Sequence, residues 1–84
     1  MKRNEMQNCH LPPEVQRAYR ELPERLYKAR RASGLTQMQV EMKTYICKET
    51  ISMYENGIRQ PVFHNLVVLA ALYGVSVGGL LGEK

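Results

Sequence analysis

The chain has 84 residues, 44% of them hydrophobic and 24% charged, which makes one small globular domain and excludes both a two-domain protein and a disordered chain. A domain of this size buries only about 60–65% of the surface its unfolded chain exposes, so its stability is modest and a partner subunit would add to it. Few enzymes build a walled pocket from so little chain, and no enzyme is expected. The net charge of +4 is unevenly placed. Residues 1–33 carry eight basic side chains against four acidic ones, whereas residues 34–84 carry four of each. Such an excess can follow phosphates or anionic lipid, and it is equally the ordinary solvated surface of a soluble domain. Two cysteines, Cys9 and Cys47, do not make a disulfide scaffold. Met1-Lys2-Arg3 is not followed by the apolar stretch of a signal peptide, and the longest apolar run, Leu66 to Tyr73, is less than half a membrane span. The expectation is a soluble cytoplasmic protein with no membrane partner.

Residues 1–21 read as a basic leader with a short helix, residues 22–81 as the folded domain and residues 82–84 as a tail. After a polar, aperiodic start, Pro12-Pro13 opens a helix-compatible segment over 14–21, with Val15, Ala18, Tyr19 and Leu22 on one face. Pro23 either interrupts that helix or opens the next as its first-turn proline. Leu22, Leu26 and Ala29 then share a stripe, surrounded by Arg25, Lys28, Arg30 and Arg31, and Ser33-Gly34 closes the helix. Thr36-Gln37-Met38-Gln39 is a capping box that starts a second helix. A third runs from Lys48 to Glu55 and ends at Asn56-Gly57. Phe63, Leu66, Val67, Leu69, Ala70 and Tyr73 mark a buried fourth helix closed by Gly74, and Ser76 caps a last short turn to Leu80-Leu81. Short connections and no alternating strand pattern give an all-α fold.

Two short helices with a basic helix beside them describe a helix-turn-helix. Gly34-Leu35-Thr36-Gln37, then Thr50-Ile51-Ser52, then Tyr54-Glu55-Asn56-Gly57 resembles the Cro/phage-repressor (XRE-type) helix-turn-helix family, in register and without insertion or deletion. The similarity continues through Arg59, Pro61, Leu66, Leu69-Ala70, Gly74-Val75-Ser76 and Leu80-Leu81, so it covers roughly residues 22–81. The resemblance implies a compact five-helix repressor-like domain, with room for an extra short N-terminal helix. It implies a sequence-specific DNA-binding transcriptional regulator, most simply a homodimeric repressor that reads double-stranded DNA in the major groove with its third helix. By resemblance Gln37 donates to a backbone phosphate at the start of the second helix. Lys48, Glu49, Thr50 and Met53 fall where the recognition helix meets base edges, and Arg59 where the following loop meets backbone. Lys2 and Arg3 form an arm able to follow the backbone or enter the minor groove. Arg30 and Glu55 match the family's buried ion pair.

Departures from the family pattern cluster in the helix-turn-helix. Glu41 stands where the family has a small residue, Thr44 where it has an aliphatic one and Tyr45 where it has glycine. Tyr45 is therefore either strained at positive φ or placed in another conformation, and Glu41 either extends outward or finds a donor. Met38, Met42 and Tyr45 form an apolar stripe, which means a rotated second helix or a methionine-rich contact surface. Val62, Val68 and Ala71 widen the apolar face of the fourth helix into a candidate dimer surface. The alternative function is a protein-interaction module, antirepressor- or antitoxin-like, on the same scaffold with weakened DNA reading. Cys9-His10, Cys47 and His64 lack the spacing of a preorganised metal site, so no metal or cofactor is expected. Cys47 at the third helix's cap, where the family often has serine, is a poorer cap.

Overall fold

The computed structural model describes residues 11–82, so Lys2, Arg3, Cys9 and His10 lie outside the described residues. Those residues form five helices and no strand: α1 (Pro13–Ala32), α2 (Gln37–Thr44), α3 (Lys48–Glu55), α4 (Phe63–Tyr73) and α5 (Val77–Leu80). None of them is long and apolar enough to cross a membrane.

Pro23 neither ends nor opens a helix. It lies inside the 20-residue α1, so the expected short N-terminal helix is the first half of this element. An interior proline costs about 3 kcal/mol because it loses an amide and crowds the preceding turn. Three features offset that cost. Leu22 and Leu26, on either side of Pro23, are both buried. Glu21 and Arg25 pair across the proline at 2.7 Å, one helical turn apart. The pyrrolidine ring also packs on Gly57, where an added Cβ would meet Pro23 Cγ at 3.5 Å.

Capping chemistry sets the starts of α2 and α5. Thr36 Oγ1 accepts from the Gln39 amide at 3.1 Å, and Gln39 Oε1 accepts from the Thr36 amide at 2.9 Å, which completes the capping box of α2. Ser76 Oγ accepts from the Gly79 amide at 2.8 Å and starts α5 despite its two glycines. α1 packs against α3, α4 and α5, while α2 rests on α3. The core between them is built from Leu26, Val40, Ile51, Tyr54, Leu69 and Leu80, each no more than 3% exposed, with Leu35 packed at its edge. Tyr73 is buried as well. Its hydroxyl has no hydrogen-bond partner among the described residues. Burial, with Glu55 nearby, pushes this phenol up to about 12, so it stays neutral through the physiological range.

Two residues expected inside are outside. Phe63 is 75% exposed and Val67 39% exposed, because α4 turns Leu66, Leu69, Ala70 and Tyr73 inward and leaves the Phe63–Val67–Ala71 stripe facing out. A helix that is apolar all round cannot bury every face against one small core.

Tyr45 adopts φ 65° and ψ 13°, the left-handed region, and is the one non-glycine residue with positive φ among those described. An L-residue there costs roughly 1–2 kcal/mol, and at 92% exposure the ring recovers little of it by packing. Glycine removes the strain but adds unfolded-state entropy of about 0.5–1 kcal/mol. Tyr45→Gly is therefore expected to stabilise the domain by up to about 1 kcal/mol, or roughly 4–8 °C in thermal midpoint. A lower midpoint in thermal unfolding followed by circular dichroism would contradict this.

Candidate nucleic-acid interface

An ion pair sits behind the helix-turn-helix. Arg30 Nε donates to Glu55 Oε2 at 2.8 Å and Nη2 to Glu55 Oε1 at 3.0 Å, in the bidentate geometry that suits guanidinium and carboxylate. The two side chains are 9% and 5% exposed. Arg30 Nη1 also donates to the Leu35 carbonyl at 2.9 Å, and Gln37 Nε2 donates to Glu55 Oε1 at 3.1 Å. Four segments thus meet at one carboxylate and one guanidinium: the end of α1, the following loop, the start of α2 and the end of α3. The hydrogen bonds that Arg30 donates to Glu55, more than the carboxylate's charge, raise the Arg30 pKa above its ordinary value against the opposing effect of burial. A carboxylate at a helix C-terminus faces the negative end of the dipole, so Glu55 depends on this cation.

α3 turns Ile51 and Tyr54 into the core, 1% and 3% exposed. At about 100° per residue the opposite face then carries Glu49, Ser52, Met53 and Asn56, with Lys48 and Thr50 on its flanks. Lys48 and Glu49 are exposed, while Thr50 and Met53 are half-buried. Ser52 and Asn56 were not singled out from the motif, although counting 100° steps from the core pair Ile51 and Tyr54 finds both. Asn56 Nδ2 donates to the Ser52 carbonyl at 2.8 Å and to Ser52 Oγ at 3.2 Å, which draws the two side chains together. Arg59 is exposed in the loop beyond α3, and its backbone amide donates to the Met53 carbonyl at 3.3 Å.

The departures from the family pattern have specific partners. Glu41 Oε1 accepts from the backbone amide of Lys48 at 2.8 Å, whereas Cys47, the exposed residue at the α3 N-cap, makes no side-chain cap. Thr44 Oγ1 donates to the Val40 carbonyl at 2.8 Å and accepts from the Ile46 amide at 3.1 Å, so the hydroxyl bridges the turn. α2 is not rotated: Val40 is fully buried, while Met38 and Met42 are 44% and 70% exposed. The methionine stripe is a surface.

Beside the α2 N-terminus lies a concavity of ≈ 550 Å³ lined by Arg30, Arg31, Gly34, Leu35, Thr36 and Gln37. Arg31 Nη1 donates to the Tyr27 hydroxyl at 3.0 Å, with the guanidinium 5.7 Å from the ring centroid, so Tyr27 steadies it there. Gln37 is held at the same place by Glu55 and keeps a second amide hydrogen for another acceptor. A helix N-terminus with a cation beside it is chemically suited to a phosphate. Val62 at the N-cap of α4 and Ala71 within it are exposed, while Val68 is half-buried and packs against the core. Among the described residues no three His, Cys, Asp or Glu side chains gather as a metal site would require.

Five helices, with α2 and α3 joined by a short turn and tied to the end of α1 through the buried Arg30–Glu55 pair, define a helix-turn-helix domain. Residues 26–80 match the family model described as helix-turn-helix, and the chain belongs to that family. It is similar to two proteins of Bacillus subtilis strain 168. One is an uncharacterised helix-turn-helix-type transcriptional regulator, YobD, 41% identical over 59 residues that span 70% of this chain and 53% of the relative. The other is the helix-turn-helix-type transcriptional regulator ImmR, 39% identical over 62 residues, 74% of this chain and 49% of the relative. The chain spans about half the length of these curated relatives.

Proposed function

We propose that this protein is a sequence-specific DNA-binding transcriptional regulator of the cytoplasm, which acts as a homodimeric repressor and reads the major groove with α3. The observation that carries the reading is the outward face of α3, a polar set on a helix clamped at its C-terminus by Arg30. Lys48 donates to guanine O6 and N7, Glu49 accepts from cytosine N4, and Met53 meets a thymine methyl. Ser52 and Asn56 add hydrogen-bonding groups to the same face. Gln37, Arg31 and Arg59 hold phosphates, and Thr50 contacts base or backbone from the flank. Lys2 and Arg3 extend the backbone contact as an arm. The two similar regulators support this class of activity.

Dimerisation uses the outward stripe of α4. Residues 60–82 contain no Asp, Glu, Lys or Arg, and within them Val62, Phe63, Val67 and Ala71 are exposed. A polyanion gains nothing on that face, and two chains of like net charge approach most easily where neither carries charge. Val68 supports the stripe from its inner edge. Two recognition helices then meet half-sites about one helical turn apart, and occupancy occludes a promoter. The second reading, a protein-interaction module, is favoured by one observation, the exposure of Met38, Met42 and Tyr45 beside the helix-turn-helix.

Fluorescence anisotropy with duplex DNA at several salt concentrations separates the two. Phosphate contacts lower the logarithm of the affinity by about 0.9 per neutralised phosphate for each unit of log salt. Lys48→Ala is expected to relax preference at one base step, whereas Gln37→Ala weakens all sequences alike. A flat salt response, together with capture of a protein partner and no effect of either substitution on DNA, would favour the interaction module.

A further inference from the structure

We propose that Glu41 is the positioning residue of α3, fixing its angle to α2 and through that angle the selectivity of the α3 face. The selectivity part rests on the reading of α3 as the recognition helix; the cap itself does not.

Both ends of the inter-helix turn converge on this one side chain and its backbone. The Glu41 carbonyl accepts from the Tyr45 amide at 2.7 Å and closes α2, while its carboxylate accepts from the Lys48 amide at 2.8 Å and opens α3. The first amides of a helix need partners from outside it, and Cys47 at the N-cap supplies none. A cap from residue 47 would travel with α3. A cap reaching across from α2 breaks when α3 pivots away, so it resists that pivot. The carboxylate also lies at the positive end of the α3 dipole, where its charge is favourable. Occupying that terminus, it keeps a phosphate off the Lys48 amide and leaves phosphate binding to the start of α2. The rest of the turn is held by Thr44 and by Ile46, which is buried in the core, and is strained at Tyr45; among the described residues no turn side chain hydrogen-bonds to α3.

The test pairs a spectroscopic readout with a selectivity readout on the full chain. In a pH titration followed by amide NMR, the Lys48 amide proton is expected to move with the ionisation of a carboxylate. Glu41→Ala should abolish that movement. The ratio of affinities for a selected duplex over a scrambled one should fall about fivefold in Glu41→Ala, the factor that one helix cap is worth. Cys47→Ser introduced into Glu41→Ala returns a cap to residue 47 and restores folding stability, but not the full ratio. Glu41→Gln keeps an acceptor oxygen, so it keeps the ratio while raising affinity for both duplexes alike. A Lys48 amide that ignores carboxylate ionisation overturns the cap. An unchanged ratio in Glu41→Ala overturns the positioning role. Equal binding of both duplexes by the unmodified protein overturns the recognition-helix reading and the selectivity part with it, while the amide titration still decides the cap.

Discussion

Arg30→Ala is expected to destabilise the domain by about 3–5 kcal/mol, because it leaves the Glu55 carboxylate 5% exposed and without its cation. Native domains of this class are stable by only about 5–15 kcal/mol, so the variant should lose much of its cooperative transition at 37 °C. The loss is larger than one salt bridge would give because the Leu35 carbonyl loses its donor too, and Gln37 is left on an unpaired anion. Removing both charges separates these contributions. Arg30→Met combined with Glu55→Leu leaves no buried unpaired charge and should recover most of the stability, though not the seating of Gln37. Urea unfolding of the three proteins checks this. A single variant that costs less than about 1 kcal/mol would mean that the pair is solvated and does not hold α3.

Phe63→Glu is expected to abolish the proposed homodimer without unfolding the chain. Phe63 is 75% exposed, so the substitution changes the isolated fold by no more than about 0.5 kcal/mol. In a two-fold interface the same change buries two like charges against an apolar face. A cost of about 3 kcal/mol there weakens dimerisation roughly a hundredfold. Sedimentation velocity over a concentration series reads the result directly. The same dimer constant for both proteins would show that the α4 stripe is not the interface, and a lower thermal midpoint would show that Phe63 belongs to the monomer core.

Local signals in the sequence carried the fold furthest. The Thr36–Gln39 box and the Ser76 cap join residues three apart, so their geometry follows from spacing alone. Pro23 was ambiguous because its cost is local while its compensation is not: Leu26 in the core and Gly57 beneath the ring are tertiary facts. Phe63 and Val67 face outward, contrary to the hydrophobic pattern, because hydrophobicity says that a side chain prefers shelter, not that this chain provides it. Of the candidate site, the match of Arg30 to Glu55, 25 residues away, came from the resemblance and from no periodicity. The departure at Glu41 could be located in the motif, but its partner could not. Nothing in the sequence says that a carboxylate in α2 reaches the amide of Lys48 across a turn that is itself held by Thr44. Ser52 and Asn56 were legible in principle, since two core residues on a short helix determine which positions lie opposite.

Selection of binding sites from random duplex DNA, sequenced for the unmodified protein and for Lys48→Ala and Met53→Ala, tests the reading of the major groove by α3 most directly. The account predicts palindromic winners whose half-sites lie about one helical turn apart, with each substitution relaxing the preference at its own base step. An unenriched pool, or an enriched site that neither substitution alters, would contradict it.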